Sequence, residues 1–143
     1  MNAIIPKTID EQINEDRSTH VTIGKEDYEL ILTLLATKQI NKRFGGLEKI
    51  ADTLSSEDVD FEERIDLICD IITILANQSI MIHNLWNTEE KKELLDSEKV
   101  MLLTKPKDMS MFSNAIMNAL INGSKSEVDK TDNKEELKNI TAE

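Results

Sequence analysis

The segment 60–86 constrains the fold of this chain more than any other part of it. Its apolar residues recur at steps of three and four, the spacing that places side chains on one face of an α-helix. One row consists of Phe61, Ile65, Ile68, Ile72, Leu75, Ile82 and Trp86, and a second, adjacent row consists of Leu67, Ile71, Ile74, Met81 and Leu85. The polar stripe is narrow and consists of Asp66, Asp70, Thr73, Asn77 and Asn84. Because a helix this apolar is buried on most sides, we predict that it is the central helix of a small bundle, roughly 40 Å long.

The size and charge of the chain narrow the class of protein. A chain of 143 residues is the size of one domain with one core. Its formal charge of −11 argues against nucleic-acid binding, because phosphate binding requires a basic face. The single cysteine, Cys69, excludes an internal disulfide and is typical of a reducing cytosol. Polar residues within 60–86 and the absence of a signal-peptide pattern argue against a membrane protein, so we expect a cytoplasmic one.

The flanking residues predict a domain that is mainly α with a small N-terminal β-hairpin. Between His20 and Leu32, apolar and polar residues alternate around a polar turn at 24–27, as in two paired strands. Shorter helices are expected at four places: from a cap at Thr33 to Gly45 and Gly46, over 47–54, around 100–103 after a cap at Asp96 or Ser97, and from Asp108 to Gly123. The ends, 1–19 and 124–143, contain few apolar residues, so we expect them to be mobile and the compact domain to span 20–123.

Residues that often carry catalysis occur here without the spacing that catalysis requires. Cys69 lies among apolar residues of the central helix, where we expect an inert, protonated thiol. The two histidines, His20 and His83, fit no zinc pattern, and His83, near a helix end, is interpreted as a hydrogen-bonded structural residue. We therefore expect a protein that is not an enzyme and has neither cofactor nor metal.

We interpret the acidic residues at the start of the central helix as solvated or helix-capping residues and not as ligands. Glu62, Asp66 and Asp70 stand four apart on one face, but no E-x-x-H pair accompanies them, so a solvated stripe is favoured over a di-metal site. Asp60 and Glu63 have the spacing of a capping box, and acids in a first turn suit the helix dipole. This interpretation is preferred to a cation-binding site.

Several short stretches, taken together and in order, resemble one protein family. They are Val21-Thr22-Ile23-Gly24-Lys25 leading to Tyr28-Glu29-Leu30, Lys42-Arg43-Phe44-Gly45-Gly46-Leu47-Glu48, Leu75-Ala76-Asn77-Gln78-Ser79-Ile80 with Ile82-His83-Asn84-Leu85, the Ser-Glu-x-Val segment from Ser97 to Val100, and a final helix with Ala115 and Ala119. Between about residues 21 and 123 the chain thus resembles the tail assembly chaperones of long-tailed bacteriophages, including those of prophages and phage-tail-like bacteriocin clusters.

The resemblance implies a role in assembly without catalysis. Members of this family bind the tape-measure protein, a very long and aggregation-prone chain, and keep it soluble while tail-tube subunits polymerise around it. They act in the host cytoplasm and are absent from the finished particle. Many also exist as a longer, frameshifted form that recruits tube subunits, and residues 124–143 would then be the linker to that extension.

A chaperone of this kind requires an exposed apolar surface and enough charge to remain in solution. We predict that the partner-binding surface comes from the hairpin edge, the final helix with its adaptable methionines and the second apolar row of the central helix. The candidates on the hairpin and the final helix are Val21, Ile23, Tyr28, Leu30, Met109, Met111, Phe112 and Met117. The hairpin edge would also allow self-pairing into dimers or rings.

The charge of −11 leaves one alternative open. An acidic interaction module, such as a nucleic-acid mimic, would occupy the basic cleft of a DNA-binding protein. Its binding would weaken steeply with salt, whereas apolar capture by a chaperone would change little.

Overall fold

A computed structural model describes residues 18–124, which form a mainly α domain with one antiparallel hairpin, as predicted. The elements are β1 (Ser18–Ile23), β2 (Glu26–Ile31), α1 (Leu34–Phe44), α2 (Leu47–Ser55), α3 (Phe61–Trp86), α4 (Ser97–Leu103), a 3-10 turn (Pro106–Asp108) and α5 (Met109–Ser124). The predicted central helix is α3. The ends predicted to be mobile lie outside the described residues except for 18, 19 and 124, which belong to β1 and α5.

The hairpin lies with one face on the helices. Its register pairs Val21 with Tyr28 and Ile23 with Glu26, and Gly24 takes a positive φ of 66° in the turn. Val21, Ile23 and Leu30 are buried in the common core, with β1 against α5 and β2 against α3. This packing stabilises a hairpin that would be marginal alone in water.

The middle of α3 forms the centre of the core, but its ends do not. Ile71, Ile72 and Leu75 are completely buried, whereas Phe61 at one end and Trp86 at the other are exposed. By length and composition alone, α3 is apolar enough to cross a membrane. This differs from the expectation that the polar residues within 60–86 argue against a membrane span. Half of its most apolar stretch is buried against the other elements, as in the core helix of a globular domain.

The predicted helix ends are confirmed at three places. The backbone N–H of Ala36 donates to Thr33 Oγ1 over 2.9 Å at the start of α1, and the backbone N–H of Lys99 donates to Asp96 Oδ1 over 2.8 Å at the start of α4. Gly45 ends α1 with a φ of 86°, in the left-handed region that favours glycine. Local hydrogen bonds therefore define where these helices begin and end.

The predicted capping box at the start of α3 is wrong. Asp60 is the N-cap residue, but its side chain accepts no capping hydrogen bond and is exposed, so water can solvate the carboxylate. The side chain that orders this junction is Arg64, whose guanidinium donates to the carbonyl oxygens of Leu54, over 3.0 Å, and Ser56. Arg64 thus satisfies carbonyl groups that the end of α2 leaves without helical partners.

Candidate functional site: an apolar groove

The structure places most of the predicted partner-binding side chains inside the domain. Four of them are core residues with at most 3% of their surface exposed: Val21, Ile23, Leu30 and Phe112. Tyr28, Met109 and Met117 are partly buried against the core, and Met111 alone of the eight is largely exposed, at 49%. The prediction is therefore corrected for the four core residues, whose side chains stabilise the fold and cannot face a partner.

Exposed apolar side chains gather at a different place, beside the C-terminal half of α3. A groove of about 540 Å³ runs between α3, the start of α1 and the irregular segment 87–96, which we call the return segment. We call this cavity the α1–α3 groove, and its lining consists of Thr33, Leu35, Gln78, Met81, Ile82, Asn84, Leu85, Lys91 and Leu94. The exposed fractions are 46% for Leu35, 70% for Leu85 and 50% for Leu94. Water therefore contacts aliphatic surface contributed by three separate elements.

A buried amide fixes one wall of the groove. Gln78 is only 3% exposed, and its Nε2 donates to the carbonyl oxygen of Ile74 over 2.9 Å. Its Oε1 accepts from the hydroxyl of Thr33 over 2.5 Å. Because Thr33 is also the N-cap of α1, this amide ties the start of α1 to α3 and satisfies its own polar atoms at both ends.

Two asparagines hold the opposite wall, the return segment, against α3. The side chain of Asn77 both donates to the carbonyl oxygen of Leu95 and accepts from its backbone N–H, each over 2.8 Å. Asn84 makes the same pair of bonds with Lys92, over 3.0 and 2.8 Å. The two amide side chains thus pair with backbone N–H and C=O groups of the irregular segment, which in a sheet would pair with a neighbouring strand. As a result, Leu95 is buried in the core, while Leu94 lines the groove.

Two further residues of α3, His83 and Asp70, make polar contacts with other parts of the chain. His83 Nε2 lies 3.1 Å from the carbonyl oxygen of Glu90, which can only accept, so Nε2 carries the proton. This confirms that His83 is a hydrogen-bonded structural residue. Asp70 accepts from the hydroxyl of Ser97 and lies 3.5 Å from the guanidinium of Arg43. Asp70 therefore joins three elements and is not a member of a merely solvated stripe.

The side chains that line the groove are less acidic than the chain as a whole. Among residues 18–124, Lys91 is the one charged residue that lines the groove, although the chain carries a net charge of −11. A smaller pocket of about 310 Å³ between α2 and α3 has Glu63, Asp66 and Asp70 in its lining. Within residues 18–124, no group of three or more His, Cys, Asp and Glu side chains is arranged to hold a metal ion.

Cys69, the nucleophile considered from the sequence, is 1% exposed on α3. Burial raises the pKa of its thiol to about 11, and the charges of Asp70 and Asp66 add to the effect. The thiol is thus protonated near neutral pH, and a protonated thiol is a poor nucleophile.

Sequence reasoning found part of the groove and missed the rest. Met81 and Leu85 belong to the second apolar row, which was among the candidate surfaces. Leu35, Lys91 and Leu94 were missed, because nothing local indicates that the return segment lies against α3. The signal that could have indicated this packing is the seven-residue recurrence of Asp70, Asn77 and Asn84 along one stripe of the helix.

Comparisons of the chain with protein-family models, curated proteins and solved structures find no match. The resemblance to tail assembly chaperones therefore remains a prediction from the sequence stretches between about residues 21 and 123.

Proposed function

We propose that this protein is a non-catalytic tail assembly chaperone whose α1–α3 groove holds helical segments of a tape-measure protein. In this role it keeps the tape-measure chain soluble in the host cytoplasm while tail-tube subunits assemble around it, and it is absent from the finished particle. The observation that carries the proposal is the exposed aliphatic lining of the groove on a strongly acidic protein. Contiguous exposed apolar surface of this kind marks protein-interaction sites.

The dimensions of the groove suit a helical client. The part of α3 in its lining, from Gln78 to Leu85, spans roughly 11 Å, or two helical turns. A client helix of that length presents apolar residues at i, i+3 or i+4, and i+7, which is the usual pattern of helix-in-groove recognition. Covering the exposed half of one leucine contributes about 1 kcal/mol, so several such contacts are needed for stable capture.

The acidic surface supports the other part of the proposed role, which is to keep the bound client in solution. The net charge of −11 keeps complexes apart by mutual repulsion, while the described residues that line the groove include no acidic one. Apolar capture and solubility are therefore assigned to different parts of the surface. A holdase for an aggregation-prone client requires that separation.

Co-expression with the tape-measure protein tests the proposal. We expect the tape-measure chain to be soluble with the wild-type protein and several-fold less soluble with Leu85→Asp or Leu94→Asp, each of which places a charge in the apolar lining. Leu102→Asp is the matched control, because Leu102 is 84% exposed and lies outside the groove. A tape-measure chain that stays insoluble with and without the protein would refute the chaperone role.

The salt dependence of complex formation separates this role from that of a nucleic-acid mimic. Apolar capture changes little when salt is raised across the range that screens surface charges, whereas binding to a basic cleft is lost steeply. Binding that disappears with salt and is unaffected by Leu85→Asp would favour the acidic module.

A further inference from the structure

We propose that the C-terminal segment 133–140 of this same chain occupies the α1–α3 groove until a client displaces it. The inference rests on the proposed function in one respect, which is that the groove is the site where the client binds. Residues 125–143 lie outside the described part of the chain, so the argument uses the point where that part ends, the lining of the groove and the sequence that follows.

The described chain ends beside the groove. Near the end of α5, Gly123 packs so tightly on Leu32 that a Cβ at Gly123 would overlap the Leu32 side chain. Leu32 directly precedes Thr33, which lines the groove. The eight residues 125–132 can span roughly 27 Å when extended, which is more than twice the length of the α3 wall. The segment 133–140 can therefore reach the groove without strain.

The segment also has the pattern of a short helix with one apolar edge. Asp132 and Glu135 have capping-box spacing, and Leu137 and Ile140 stand three apart, on one helical face. These two side chains match the length of a groove of two turns. Tethering raises their effective concentration at the groove to the millimolar range, which offsets a weak intrinsic affinity.

One ion pair is available to this occupant. With Leu137 and Ile140 facing the groove, Glu136 lies at the edge of the contact, about 100° around the helix from Leu137. Among the described residues of the lining, the one charged side chain, Lys91, can pair with this carboxylate, and Glu89, Glu90 and Glu93 lie beside it in the return segment. A second copy of the chain is the other occupant to consider, and the experiment distinguishes the two.

Disulfide trapping in the full-length chain tests the proposal. Leu94→Cys and Leu137→Cys place one thiol in the groove and one in the segment, while Cys69 is too buried to interfere. We expect an intrachain disulfide to form under mild oxidation about tenfold faster than in the pair Leu102→Cys with Leu137→Cys. Adding Ile140→Ser to the first pair should slow it toward the control rate.

Equal rates for the two cysteine pairs would overturn the proposal, as would a rate unaffected by Ile140→Ser. Disulfide-linked dimers in place of the intrachain bond would also overturn it, by showing that a second copy occupies the groove. No tape-measure protein takes part in this experiment. Its failure therefore leaves the chaperone role standing, and a failure of the co-expression test leaves this inference standing.

Discussion

Replacing Asn77 by alanine tests whether the return segment is held by side-chain hydrogen bonds. The substitution removes the donor to the carbonyl oxygen of Leu95 and the acceptor for its N–H, each bond being 2.8 Å long. Asn84→Ala removes the same pair of bonds to Lys92. The two variants delete the same pair of bonds from positions seven residues apart on one stripe of α3, and they differ in the burial of the partner.

The burial of the partner residue sets the expected difference in unfolding free energy between the two variants. Leu95 is 5% exposed, so its unpaired backbone groups are poorly reached by water, and each costs about 1–2 kcal/mol. Alanine regains about 0.5 kcal/mol of helix propensity relative to asparagine. The free energy of unfolding should therefore fall by about 2 kcal/mol in Asn77→Ala. Lys92 is exposed, so water replaces the lost bonds in Asn84→Ala, and its unfolding free energy should change by less than about 0.5 kcal/mol.

Urea unfolding followed by circular dichroism measures both free energies, and hydrogen exchange adds a local measurement. In Asn77→Ala the amide of Leu95 should lose protection, while amides in the middle of α3 keep theirs apart from the global loss. If the two variants lose equal stability, or if the Leu95 amide remains fully protected, the side chain of Asn77 does not hold the return segment.

The buried thiol of Cys69 and the close packing of Gly123 on Leu32 give two further predictions. The Cys69 thiol should react with a thiol reagent near neutral pH only after unfolding. Because its pKa in the folded chain is raised from 9.0 to about 11, the unfolding free energy should fall as pH rises from 9 to 11, and the fall should be smaller in Cys69→Ala. Gly123→Ala should lower the unfolding free energy by about 1–2 kcal/mol, because overpacking of the added Cβ on Leu32 costs about 1–3 kcal/mol and the helix propensity of alanine returns up to about 1 kcal/mol. Ser124→Ala, measured by the same urea unfolding, should cost under about 0.5 kcal/mol. A Gly123→Ala chain as stable as the wild type would contradict that packing.

The features that the sequence predicts correctly are those that depend on neighbouring residues. Thr33 caps a helix through a residue three positions away, and Gly45 ends it through its own backbone angle. The span of α3 follows from the period of its apolar residues. By contrast, Asn77 bonds a residue 18 positions away, in a segment without periodicity, and no local rule predicts that pairing. For the same reason the alternation of residues predicts the hairpin, but it does not show that Leu30 is buried in the core and closed to a partner.

The groove exists because the chain returns along α3 as an irregular segment and not as a helix. A helix packed on the last turns of α3 would lie 8–10 Å away and would cover a wide apolar stripe. The return segment is held by the narrow polar stripe at Asn77 and Asn84, so it covers that stripe and leaves the adjacent apolar row open. Met81 and Leu85 therefore remain in the groove lining although the middle of the same helix is fully buried. The bonds that stabilise this end of the domain thus also determine that an apolar surface stays available there.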